Sequence, residues 1–138
     1  MTGPIKTVIG FDFGSDWTGV AVGQTLTGQA TPLHAIRSKD WQSIEKILQD
    51  WQPQVLVVGL PLNMLGEHQQ MTARAQRFAR QLEGRFGIRT VLVDERLTTR
   101  EAYRIALENN RKKSKTEIDC LAAALITESW LLDQKNSK

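Results

Sequence analysis

An α/β fold, a single mixed sheet with helices on both faces, is predicted by three features of the 138-residue chain. The N-terminal part holds β-branched and aromatic runs joined by connections too short for a crossover. The middle alternates short apolar runs with segments of helical spacing, and a long, largely apolar helical pattern closes the chain. Hairpin-linked strands followed by β-α-β crossovers give a five-stranded mixed sheet, in which strands one to three are antiparallel and strands one, four and five are parallel.

Each element has its own signal. Thr7–Phe13 is a β-branched and aromatic run stopped by Gly14, and Thr18–Gly23 follows after the tight turn Gly14-Ser15-Asp16-Trp17, so the two form a hairpin. A third strand is expected over Leu33–Arg37, beyond a loop with Gly28 and Pro32. The period then changes. Trp41, Ile44, Ile47, Leu48 and Trp51 recur at helical spacing as a core stripe, and Pro53 ends that helix. Val55–Val58 is continuously apolar, as a strand covered on both faces should be. Ala75, Phe78, Ala79, Leu82 and Phe86 mark a second helix closed by Gly87, and Thr90–Val93 forms the fifth strand. Thr98-Thr99-Arg100-Glu101 fits a capping box opening a helix to about Glu108. A last helix starts near Ile118 and runs toward Leu132. A plain dinucleotide-binding fold is excluded, because Gly10-Phe11-Asp12-Phe13-Gly14 leads into a hairpin rather than opening a helix.

Composition narrows the function classes. One cysteine allows neither an internal disulfide nor a cysteine-based zinc site, which points to a reducing compartment. No apolar run approaches the ~20 residues of a membrane span, and Met1–Lys6 carries no apolar signal core. A soluble, cytoplasmic protein with one domain over residues 1–138 is expected, as a monomer or weak homodimer and without membrane association. The net charge of +3 is unevenly spread: residues 1–70 carry −2, residues 71–100 carry +4 and the remainder +1. The basic side chains of 71–100 are all arginine, whose planar fork suits phosphate.

Three acids stand out against their surroundings. Asp12 interrupts an apolar strand between Phe11 and Phe13, Glu95 follows the fifth strand, and Asp119 sits among Ile118 and Leu121 early in the last helix. Each has a plain structural alternative. Asp12 can cap the hairpin turn, Glu95 can begin a polar loop, and Asp119 can act as a helix cap in Thr116-x-x-Asp119. Ser114-x-x-Glu117 competes for that capping role. In an open α/β sheet the ligand crevice lies beyond the carboxyl ends of the strands. The first and fifth strands are expected to be parallel, so Asp12 and Glu95 emerge at one edge. Three carboxylates there are hard oxygen ligands suited to Mg²⁺ or Mn²⁺, which can activate water and stabilise a leaving phosphate oxygen. Cations supply the rest: Arg74, Arg77 and Arg80 on an exposed helix face, Arg111-Lys112-Lys113 and Lys115 in the loop before the last helix, and Arg96 and Arg100 after the fifth strand. Cations around an acidic pocket suit a phosphodiester. Asn63, in the loop after Val55–Val58, can touch phosphate or form an Asx-turn. Trp17 can stack on a base or lie partly buried over the hairpin.

The blocks IGFDFGSDWTGVAVG (9–23), VVGLPLNMLGE (57–67), VDERLTTREA (93–102) and KSKTEIDCLAAALI (113–126) occur in order. Together they resemble the YqgF/RuvX family, small bacterial proteins similar to Holliday-junction resolvases. The resemblance covers essentially the whole chain. It implies an RNase H-like fold and a metal-dependent nuclease (magnesium or manganese) that processes the 5′ end of the pre-16S ribosomal RNA in ribosome biogenesis. It places catalytic and metal-binding roles on Asp12, Glu95 and Asp119, matches Gly14 and Gly19 to the first hairpin, and sets Asn63 and Arg96 beside the site. The expected partner is nucleic acid, either structured RNA or branched DNA. The alternatives are a Holliday-junction resolvase-like DNA nuclease and a non-catalytic RNA- or junction-binding factor.

Overall fold

The structure, a computed structural model, describes residues 4–61, 65, 69–94, 108 and 114–136. Six strands form the sheet: β1 (Thr7–Phe13), β2 (Trp17–Gln24), β3 (Gln29–Pro32), β4 (Ile36–Arg37), β5 (Val55–Leu60) and β6 (Arg89–Asp94). Their order is β3-β2-β1-β5-β6, with β4 also pairing to β2. β1–β2 and β2–β3 are antiparallel, whereas β1–β5 and β5–β6 are parallel, as the hairpin-then-crossover pattern predicts. The third strand differs from expectation. Instead of one strand over Leu33–Arg37, two short ones pair with opposite ends of β2, Gln29–Pro32 against Ala21–Gln24 and Ile36–Arg37 against Trp17–Thr18. Pro32 has no N–H to continue the ladder, and the chain leaves the sheet edge before returning.

Helices α1 (Trp41–Trp51) and α2 (Gln70–Phe86) cover one face of the sheet, and α3 (Lys115–Asn136) covers the other. Strand alternation sorts the two layers. Ile9, Phe11 and Phe13 of β1 pack with Ile44, Leu48, Phe78 and Leu82, while Val8 packs with Ile126 and Trp130 of α3. Phe78 anchors the first layer, stacked on Phe13 at 4.7 Å and on Trp41 at 5.8 Å between ring centroids, and edge-on to Phe11 at 5.6 Å. Asp40 caps α1 through Ser43, whose hydroxyl and amide hold its carboxyl below the ordinary carboxylate range. At its other end Gln52 takes the left-handed conformation just before Pro53. Trp51, placed by spacing on the core stripe, is instead 40% exposed at the C-terminal end of α1. The helix expected over 99–108 lies outside the described residues. No helix among the described residues is long and apolar enough to cross a membrane.

Candidate nuclease site

Where α3 crosses β2 and the middle of β1, the sheet presents small residues. Gly10 on β1 and Gly19, Ala21 and Gly23 on β2 all face α3, which presents Ala123 and Ala124. A methyl group at Gly10 would run into Thr127, and one at Gly23 would lie 2.7 Å from the Thr127 methyl. At Gly19 it would strike the Asp119 carbonyl and lie 2.7 Å from the Cys120 amide nitrogen. Absence of side chains lets the helix backbone rest directly on the strands.

That contact brings two of the three acids together. Asp12 pairs in register with Gly19, and strand alternation turns its side chain to the α3 face, as it does Val8 and Gly10. Asp119 sits on α3 directly over Gly19. The Cys120 thiol lies within electrostatic reach of both. Burial pushes its pKa up, with Asp119, Asp12 and Glu117 adding in the same direction and the Val20 backbone opposing. Cys120 is thus the buried packing residue expected from sequence, set beside the acids.

The capping question for Asp119 is resolved by Ser114. Its hydroxyl accepts from the Glu117 amide at 3.3 Å, and its own amide donates to Glu117 Oε1 at 3.1 Å. This reciprocal box satisfies the start of α3 and leaves Asp119 unneeded as a cap. The Asp119 side chain is 12% exposed, and its Oδ2 accepts from Lys115 Nζ at 3.3 Å. Lys115 therefore belongs to the first turn of α3 rather than to the preceding loop. A cation there opposes the helix dipole, and Lys four residues before an acid is the weaker orientation of such a pair.

Around the hairpin the structure adds residues that spacing alone did not reveal. Ser38 donates its hydroxyl to the Gly14 carbonyl at 2.6 Å, lies 2.8 Å from the Thr18 hydroxyl, and donates its amide to the Asp16 carbonyl at 2.9 Å. The turn that follows Asp12 is thus held from outside the hairpin. Arg74, expected on the exposed face with Arg77 and Arg80, is instead half-buried; only the latter two are exposed. Its guanidinium lies 5.9 Å from the Phe13 ring centroid and donates to Ser15 Oγ at 3.1 Å. A cation thereby stands at the turn immediately beyond Asp12. On β6, Val91 and Val93 pack toward α3, and Asp94 is level with Leu60 of β5. Glu95, Arg96, Arg100, Arg111, Lys112, Lys113 and Asn63 lie outside the described residues. No group of three His, Cys, Asp or Glu side chains arranged to hold a metal occurs among the described residues. The two carboxylates that are described still fit Mg²⁺, which takes one or two protein carboxylates and completes its shell with water and substrate phosphate.

Known proteins resemble this chain over nearly its whole length. The family model described as "RuvX: Holliday junction resolvase" matches residues 6–133. A Yersinia pestis protein named "Putative pre-16S rRNA nuclease" is 47% identical over 135 residues, covering 94% of this chain and 96% of that one. Among solved structures, Thermus thermophilus RuvC in complex with a Holliday junction superposes with a TM-score of 0.60 at 14% identity, covering 96% of this chain and 97% of that one. The fowlpox virus Holliday junction resolvase gives 0.57 at 11% identity, over 92% and 99% of the two chains. At such identities the structural likeness establishes the RNase H-like resolvase fold.

Proposed function

The chain belongs to the RuvX family of Holliday junction resolvases, and from that premise we propose that it hydrolyses phosphodiester bonds of structured nucleic acid, with the 5′ end of pre-16S ribosomal RNA as its substrate. The observation that carries the reading is the convergence of Asp12 and Asp119 on Gly19 from two different elements. Buried acids are rare unless paired or metal-bound; Asp119 is buried and is not needed as a cap, and Asp12 is half-buried in an otherwise apolar strand. Glu95 is the proposed third acid. It directly follows β6 (Arg89–Asp94) in the sequence.

In this reading Asp12, Asp119 and Glu95 hold Mg²⁺ or Mn²⁺, which supplies charge neutralisation at the scissile phosphate and a lowered pKa for the attacking water. The chain's own residues do the rest. The carboxylates fix the reacting edge of the sheet, and the small-residue track beneath α3 keeps them in register. Arg74, braced by Phe13 and Ser15, presents positive charge at the hairpin end of the site. Lys115 neutralises Asp119 and stands 84% exposed at its side chain, ready to meet an incoming phosphate. Arg77, Arg96, Arg100 and the 111–113 cations are assigned to the phosphate backbone at longer range.

The deciding experiment presents single strand, duplex, four-way junction and structured pre-16S RNA to the protein with Mn²⁺, alongside Asp12→Asn and Asp119→Asn. Wild type should cut the structured RNA and both variants should lose cleavage while retaining their melting temperature. Undiminished cutting by either variant sinks the assignment. One observation favours a second reading, a non-catalytic RNA- or junction-binding factor: the Asp119 charge is already met by the chain's own Lys115. That reading predicts salt-sensitive binding with no metal-dependent cleavage by wild type.

A further inference from the structure

A cavity of about 500 Å³ opens on the same face as the acids, between the Pro32–Ala35 segment and the start of α3. Trp17, Leu33, His34, Cys120 and Leu121 are among the residues that line it. We propose that this cavity receives an unpaired nucleobase of the substrate strand, a proposal that rests on the nuclease reading above and specifies its substrate class.

Three observations point to a base. The first is the shape and chemistry of the walls. Leu33 and Leu121 give apolar surface, while His34 and Thr116 offer hydrogen-bonding groups for the polar edge of a heterocycle. The volume falls in the range of small-ligand sites, ~300–1,000 Å³. The second is Trp17, a 37% exposed indole at the rim. It pairs across the ladder with Arg37, whose guanidinium lies 4.7 Å from its ring centroid. An exposed aromatic braced by arginine is the stacking platform used for single-stranded nucleic acid. The third is continuity with the candidate site. Trp17 lies two residues from Gly19 on the same face of β2, and Cys120, which lines the cavity, adjoins Asp119. Arg37, stacked on Trp17, and Lys115, next in sequence to the lining residue Thr116, are exposed cations set against one carboxylate in the wall, Glu117, so a strand with its phosphate at the acids meets positive charge beside the cavity. An apolar protein side chain would gain nothing from those cations.

The base must be unpaired, because a paired base turns its edge to its partner and its faces to its neighbours. The structure therefore assigns a preference for loops, ends or branch points over continuous duplex.

The test is carried out in the Asp12→Asn background, so that no cleavage is needed. Tryptophan emission is followed as a single-stranded oligonucleotide of about 8 nucleotides, or a blunt duplex of the same length, is added. The single strand should quench emission, and Trp17→Leu should remove that quench and weaken single-strand binding by roughly tenfold or more, leaving duplex binding unchanged. Trp17→Phe, which keeps a stacking face, should restore most of the affinity. Equal weakening of single strand and duplex by Trp17→Leu, or an unchanged quench, overturns the proposal. If Trp17→Leu fails to fold, Leu121→Arg, which fills the cavity, must give the same selective loss. If base capture is absent while wild type cuts the RNA panel, this inference alone falls. If neither oligonucleotide binds, it falls together with the nuclease reading.

Discussion

Gly19→Ala tests whether helix-on-strand contact positions the two acids. The added methyl would lie 2.7 Å from the Cys120 amide nitrogen and closer still to the Asp119 carbonyl, where ordinary contact starts at 3.4 Å. The first gap alone requires α3 and β2 to separate by about 0.7 Å, and the obstacle is backbone, which cannot swing aside like a side chain. Overpacking of this kind costs about 1–3 kcal/mol. With an unfolding entropy of about 2.1 cal/mol/K per residue over 138 residues, each kcal/mol lowers the melting temperature by about 3.5 °C. A drop of about 3–10 °C is therefore expected by differential scanning calorimetry. The same movement carries Asp119 away from Asp12. Because misplacement by about 1 Å costs on the order of 100-fold in rate, cleavage by the folded variant should fall roughly 10- to 100-fold. A variant that melts within about 1 °C of wild type and cuts equally fast would refute the claim that this glycine sets the site.

Other outcomes follow from the same structure. Phe78→Ala removes the ring that joins Phe11, Phe13 and Trp41 and should cost about 3–5 kcal/mol in urea unfolding, with no new specific effect on the acids. Ser114→Ala removes the hydroxyl that accepts from the Glu117 amide, while the Ser114 amide can still donate to Glu117, and should cost about 1 kcal/mol, seen as a lower melting temperature by circular dichroism. Burial and nearby carboxylates raise the Cys120 pKa, so its alkylation should stay slow at neutral pH and accelerate only in alkaline solution. Because the folded-state value lies above the unfolded one, the stability this thiol contributes is complete below the unfolded pKa and lost as pH rises through the folded value. Asp119→Asn removes a like charge and should shift the alkylation profile toward lower pH.

Much of the architecture was readable from local patterns. The change from alternating to helical spacing at Trp41, the continuous apolar run Val55–Val58 and the turn at Gly14 located β1, β2, α1, β5 and α2. The third strand was misplaced because its pairing with β2 is split around a proline, and pairing across a sheet leaves no mark in local propensity. Of the site, Asp12 and Asp119 were legible as charges in apolar surroundings. The rest was not. Arg74 lies on a surface-like stretch of α2, yet packs on Phe13, which is distant in sequence. Lys115 falls in a basic stretch of sequence that looks like loop, and only the helix places it one turn before Asp119. The alternation Gly19-x-Ala21-x-Gly23 was a usable signal of close packing, visible in sequence once β2 is taken as a strand.

Residue order thus settles which segments become strands and helices, because periodicity and turn chemistry act over a few neighbours. It also settles that carboxylates interrupt apolar runs. Which of those carboxylates meet, and which cation stands beside each, depends on register and on how near α3 can approach the sheet. Those distances follow from contacts among residues up to a hundred positions apart, as when Gly19 accepts the backbone of Asp119, and no local rule contains them.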